Sequence, residues 1–162
     1  MAVVVDVPLN TCLADLDEAL RLVAAELHAD RAFYSHYDAD GGFVETLSAY
    51  GWIPSGERFY VSDYPETARI LETKESLQVR VDDPRADRAE VELLLQERVR
   101  SALVVPVVVA GRSTGLLEAY SVADRVWRRS EVLRARIVAS MLGAILDRVV
   151  GRPLSAARAT AA

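Results

Sequence analysis

Cysteine is almost absent. Cys12 stands alone in 162 residues, which excludes an internal disulfide framework and a cysteine-cluster metal site and makes a reducing, cytoplasmic setting the default expectation. Lys74 is the only lysine, and the other basic side chains are arginines interleaved with acids. With a net charge of −5 there is no basic face of the kind phosphate binding needs, so nucleic acid is not an expected partner. No apolar run approaches membrane-spanning length, and Met1 to Pro8 lacks the charged start and long apolar stretch of a signal peptide, so no membrane partner is expected either. What is present is 51% hydrophobic and 27% charged residues, an ordinary globular composition, in a chain long enough for one core.

Hydrophobic periodicity divides the chain. Residues 12–28 place Leu13, Leu16, Leu20, Val23 and Leu27 at helical spacing, with Asn10 or Thr11 available as the cap. Arg31 to Tyr37 and Phe43 to Tyr50 read as strands joined by "DADGG". Gly51 to Ser62 is irregular, and a short helix runs from Asp63 to about Lys74. Leu77 to Val81 is a short strand and Ala89 to Arg98 a second short helix. Ser101 to Val109 and Thr114 to Val122 are the most apolar strands, and Ser130 caps a long helix ending near Val150. Residues 1–9 form a lead-in, 10–150 one domain, and 151–162 read as a disordered tail. This order of elements argues for an α+β domain built on an antiparallel sheet of five to six strands covered by its terminal helices.

One stretch, "GRSTG" at 111–115, matches the G-x-S-x-G pattern of a hydrolase nucleophile elbow. An elbow needs a strand, a sharp turn and then a helix, followed by an acid and a histidine in chain order. Here a β-branched and aromatic strand follows, and His28 and His36 both lie upstream of Ser113. GRSTG reads as a hairpin turn, and no catalytic residue is assigned.

Taken together, "LDEALRLVAAELHADRAFYSHYDADGG", "AYGW", "VRSALVVPVVVAGRSTGLLEAYS" and the capped closing helix resemble a GAF domain. Asp38 stands where such domains carry an Asp-turn, Ser101 to Pro106 where they carry an S-x-L-x-V-P strand, and Gly115 to Leu117 where they carry a G-x-L strand. The resemblance covers roughly residues 10 to 150. It implies a non-enzymatic sensory or regulatory module whose terminal helices pack on one face of the sheet, while short helices and loops cover a small-molecule pocket on the other. Specialised branches are less well matched. Bilin attachment and methionine sulfoxide reduction in the family rest on pocket cysteines, whereas Cys12 opens the first helix. The Asn-Lys-x-Asp-Glu-like signature of the cyclic-nucleotide branch is absent. His36 is a candidate haem ligand, but a partly exposed histidine near a hairpin end is the simpler reading. The ligand's identity stays open.

A polar and aromatic set remains as the candidate pocket. If the first two strands pair across a five-residue loop, Tyr34 and His36 share a face with Thr46 and Ser48, and Tyr50 continues it towards Trp52. Glu118 and Tyr120 alternate away from Leu117 and Ala119. A carboxylate within an apolar strand requires a partner or a raised pKa, the alternatives being an edge position or an ion pair such as one with Arg80. The segment Tyr50 to Tyr64 holds five aromatics in fifteen residues, among them Trp52, Phe59 and Tyr60, and reads either as a pocket lid or as core filling. If Trp52, Phe59 and Tyr60 fill the space, the chain is a ligand-free interaction module instead. Asp82 and Asp83 read as solvated turn residues.

The closing helix is apolar on more than one side. Leu133, Ile137, Met141 and Ala144 suffice to pack on the sheet, leaving Val138, Leu142, Ile145 and Val149 as a second stripe for a partner helix, most simply from a second copy of the chain. The first helix is the alternative cover for that stripe.

Overall fold

The computed structural model describes residues 9–51 and 56–150, with side chains over 16–51 and 56–146. The expected tail at 151–162 and Trp52 lie outside the described residues.

In chain order the elements are α1 (Leu9–Glu26), β1 (Arg31–Asp38), β2 (Phe43–Tyr50), β3 (Arg58–Tyr60), a 3-10 turn (Val61–Asp63), α2 (Pro65–Thr73), β4 (Leu77–Arg80), α3 (Arg88–Gln96), β5 (Ser101–Val109), β6 (Arg112–Ser121) and α4 (Arg129–Val150). The strands form one six-stranded sheet in the order β3-β2-β1-β6-β5-β4, with every neighbouring pair antiparallel. The chain builds β1-β2-β3 and β4-β5-β6 as local units, and the long-range pairing of β1 with β6, from Arg31 opposite Tyr120 to His36 opposite Gly115, joins them. The three-residue edge strand β3 falls in the stretch that composition alone reads as irregular.

Two apolar layers follow from strand alternation. One contains Leu20 and Val23 of α1 with Leu27 just after it, Ala135, Ala139 and Leu142 of α4, and the sheet residues Tyr34, Leu103 and Leu117. The other packs Ile70 of α2 and Leu94 of α3 against Phe33, Val79, Val104 and Leu116. Both faces are therefore covered, which is why β5 reads as an unbroken apolar run rather than an alternating one. Pro106 lies beyond Val104, the last β5 residue paired with β4, so its missing N–H falls outside that ladder.

The turns obey local chemistry. Ala110 and Gly111 lie between the paired Val109 and Arg112 with φ of 48° and 77°, the signature of a type I′ hairpin. GRSTG is thus a hairpin leading into β6, and the Ser113 hydroxyl donates to the Leu71 carbonyl at 2.6 Å, tying α2 to the sheet. Asp38 Oδ1 accepts the Gly41 N–H at 2.8 Å and closes the first hairpin. Gly115 is required by packing, because a Cβ there would stand 2.5 Å from the Ser35 carbonyl and 2.8 Å from the Tyr34 ring.

α3 is capped by Asp87, whose Oδ1 accepts from Ala89 N at 2.9 Å. α4 begins one residue before Ser130, and its cap is Glu131: the carboxylate accepts the Arg128 N–H at 2.6 Å and binds the Arg125 guanidinium. Arg125 also stacks 4.3 Å over the buried Trp127 ring, fixing the entry to the helix.

The sheet-facing side of α4 differs from the hydrophobicity reading. Small residues, Ala135, Ala139 and Gly143, point to the sheet, and a Cβ at Gly143 would meet the Val108 carbonyl at 2.5 Å. The helix lies too close to β5 for large side chains there. Leu142, expected on the partner-facing stripe, is in the chain's own core, and Val138 packs against that core. Leu133, Ile137 and Met141, expected to pack on the sheet, are instead 50–61% exposed, with Ile145 beside them. Val149 belongs to α4, but its side chain lies outside the described residues.

Candidate functional site

Opposite the terminal helices, the sheet, α3 and the segment from β3 to α2 enclose a cavity of about 60 Å³. Its floor is β1 and β6, contributing Phe33, Ser35, Leu116, Glu118 and Tyr120, and Thr46 completes it from β2. Phe59 and Tyr64, 6.2 Å apart edge to face, stand over it with Val61. α3 supplies Glu90 and Leu94, and Glu97 follows directly after it.

The polar floor is a directed hydrogen-bond chain. Ser35 Oγ donates to Glu118 Oε2 at 2.7 Å, and the Tyr120 hydroxyl donates to Oε1 at 3.1 Å. Ser35 Oγ and Thr46 Oγ1 are 3.2 Å apart, and since the serine proton is committed to the carboxylate, Thr46 is the donor. Phe33 meets the Tyr120 ring edge to face at 4.8 Å and holds it over the carboxylate. Glu118 is surrounded by protein, and the surface it retains faces the cavity. Burial drives its carboxyl up to about 6, against the opposing effect of the Ser35 and Tyr120 hydrogen bonds. Burial likewise raises the Tyr120 phenol well above 10, with Glu118 adding to it.

Glu90 is a second buried carboxylate at the cavity, 6% exposed. Its Oε1 accepts from Thr67 N at 3.0 Å and Thr67 Oγ1 at 2.7 Å, and burial raises its pKa although these bonds oppose the rise. Glu97 faces outward to Arg31 at 3.6 Å, and Arg31 Nη1 also donates to the Glu97 carbonyl at 2.9 Å. Arg80, the ion-pair partner weighed for Glu118, pairs with Asp124 at 2.8 Å instead.

The structure brings Thr46, Glu118 and Tyr120 of the expected set to the cavity and sends others elsewhere. Tyr34 is buried in the layer under α1 and α4, where burial raises its pKa to about 12. His36 is exposed on that same side, beside the hairpin end. Ser48 also faces α1, where its hydroxyl donates to Asp17. A β-bulge separates Ser48 from Thr46: Tyr34 pairs with Ser48 and Ser35 with Thr46, so Leu47 is the extra residue and the two hydroxyls face opposite ways. Tyr50 lies opposite Ala32 and is 41% exposed, and Tyr60 is 53% exposed with its ring 6.3 Å from Phe43. Ser35 and Glu90 lie outside the expected contact set, whereas Phe59 and Tyr64 belong to the aromatic segment that reads as a lid or as core filling. Alternation from Glu118 across β1 identifies Ser35 once the pairing is known, whereas nothing in the local sequence marks Glu90. Asp82 and Asp83 pair with Arg100 at 2.6 Å and Arg85 at 3.5 Å. Among the described residues no group of three or more His, Cys, Asp and Glu side chains is placed to hold a metal ion, and no helix is long and apolar enough to cross a membrane.

A second concavity, about 320 Å³, runs between α1 and α4 on the opposite side of the sheet. Leu22, Val138, Met141 and Ile145 line it, with Glu26 and Arg134 at its rim, 3.4 Å apart.

The whole architecture matches known structures. The blue-light absorbing form of the PixJ GAF domain of Thermosynechococcus elongatus superposes with a TM-score of 0.76 at 20% identity, covering 96% of each chain. A domain of a putative two-component sensor histidine kinase from Sinorhizobium meliloti gives 0.67 at 22% identity, over 92% of this chain and 98% of that one. The phycocyanobilin-bound GAF domain of a cyanobacterial phytochrome gives 0.70 at 25% identity, over 84% and 85%. No curated protein matches the sequence. The GAF domain model matches residues 14–146, nearly all of the described sheet and helices. GAF domains are in general sensory and regulatory ligand-binding modules, and this chain belongs to that family.

Proposed function

We propose that this chain is a non-enzymatic sensory domain that binds a small organic molecule in the cavity between β1, β6, α3 and the β3–α2 segment, and signals through α1 and α4. One observation carries the reading: a carboxylate, Glu118, is enclosed against unfilled space where its burial costs stability. A chain selected only for folding gains by replacing such a group with an apolar one. The test is native mass spectrometry of the chain purified from cells, followed by mild denaturation. A defined small mass released on denaturation is the expected result. A bare chain, combined with unchanged affinity-free behaviour of a cavity-filling Ala102→Leu variant across a metabolite library, would overturn it.

A second reading, assembly into a homodimer, is supported by the apolar groove between α1 and α4 and its exposed stripe of Leu22, Ile137, Met141 and Ile145. The rim acid and base, Glu26 and Arg134, already pair with each other, so the rim presents no unbalanced charge to a second copy. Sedimentation over a range of concentrations tests it; a chain monomeric throughout removes this reading and leaves the first standing.

A further inference from the structure

We propose that the ligand of the cavity is a small organic cation, an amine or amidine whose charged head sits between Glu118 and Glu90 and whose apolar body lies against the aromatic wall. The proposal rests on the small-molecule reading above and adds the ligand's chemical class.

Charge is the first argument. Glu90, Glu97 and Glu118 border the cavity, and no lysine, arginine or histidine is among the residues lining it. Arg31 is committed to Glu97 outside. Glu118 and Glu90 are thus enclosed carboxylates with no internal cation, an arrangement that favours a cationic guest and rejects an anionic one.

Hydrogen-bond capacity is the second and is independent of charge. A carboxylate has about four lone-pair sites. Glu118 uses one on each oxygen. Glu90, nine-tenths buried, receives both Thr67 bonds on Oε1, and Oε2 has no hydrogen-bond partner among the described residues. The Ser35, Tyr120 and Thr67 hydroxyls already point their protons at a carboxylate and Thr46 points its proton at Ser35, which leaves the lining short of donors, with the Tyr64 phenol uncommitted among the described residues, and an ammonium supplies three. The remaining wall is apolar and aromatic, with Phe33, Phe59 and Tyr64 offering ring faces or edges to a cation and its carbon body. The volume, about 60 Å³, suits a head group and a few carbons.

The probes are butylamine, 1-butanol and butyrate, equal in body and different in head, titrated against the full chain at pH 7.5 by calorimetry and ligand-observed NMR. Butylamine is expected to bind at least tenfold more tightly than the other two, and Glu118→Gln to remove that preference. Glu45→Gln, which removes the same charge at a surface site paired with Arg58, is the control for net charge and should leave the preference unchanged. If Glu118→Gln does not fold by circular dichroism, Glu90→Gln takes its place with the same expected loss. Equal binding of all three, tighter binding of butyrate, or no binding of butylamine overturns the cationic ligand. A neutral or anionic molecule released in native mass spectrometry would also overturn it while leaving the sensory reading intact; failure of both experiments removes both.

Discussion

The Tyr120 hydroxyl donates to Glu118 Oε1 at 3.1 Å from two residues further along the same strand, Tyr120 buried and Glu118 partly so at the cavity wall. The pair has a pH signature. Burial sets the Glu118 carboxyl at about 6 in the folded chain against an ordinary 4.5. Between those values the folded chain holds more protons than the unfolded one, so stability falls as pH rises through that window. At pH 7 the ionised, buried carboxylate costs about 2 kcal/mol. Glu118→Gln is therefore expected to be more stable than the parent at pH 7 in urea unfolding, with the difference shrinking towards zero at pH 4. A pH-independent difference would mean the carboxylate is not desolvated.

Glu131 carries the opposite sign. Burial would raise its carboxyl, but Arg125 and the Arg128 amide more than offset this and hold it below 4.5. Its stabilisation is present above that value and lost as pH falls through the depressed one. Glu131→Gln should cost about 1–2 kcal/mol at pH 7, as expected for a charge-assisted helix cap. The loss should fade on acidification, the reverse of the Glu118 variant, and the same urea series at pH 3 to 7 reads both.

Gly143 inverts a familiar rule. Glycine to alanine within a helix normally gains about 1 kcal/mol. Here the added Cβ meets the Val108 carbonyl, a backbone atom that cannot swing aside. Gly143→Ala is expected to lower stability by about 1–3 kcal/mol through separation of α4 from β5. A thermal melt at or above the parent's would show that the helix moves freely.

The exposed stripe of α4 makes a prediction about association alone. Ile137 is 61% exposed. Ile137→Lys should leave the unfolding free energy of the monomer within about 0.5 kcal/mol of the parent, as for surface changes generally, and shift the sedimentation profile towards monomer by tenfold or more in dissociation constant. A profile unchanged at all concentrations places the contact elsewhere.

Much of this architecture is legible in the residues, and the failures are instructive. β5 announces its two-sided burial by an unbroken apolar run, and GRSTG announces a hairpin through Gly111 and the strand that follows. Glu118 stands out because a carboxylate interrupts an apolar strand. Its neighbours were harder to find. Grouping Thr46 with Ser48 assumes an unbroken pleat, but Leu47 is a bulge, and one extra residue reverses the face of everything beyond it. In α4 hydropathy points the largest side chains at the sheet, whereas close approach selects Ala135, Ala139 and Gly143. Helix–sheet distance is a property of the assembled layers and is not encoded in hydropathy. Glu90 comes from an amphipathic helix where acids are commonplace, and only the docking of α3 onto α2 and the sheet gives it a role.

β6 is one residue thick. Glu118 and Tyr120 border the cavity from one side of it, and Leu117 and Ala119 hold α1 and α4 from the other. The chamber and the helical layer thus share a party wall: any shift of the strand that accommodates a guest is, in the same movement, a shift of the surface on which the helices rest, with no relay of intervening residues between them.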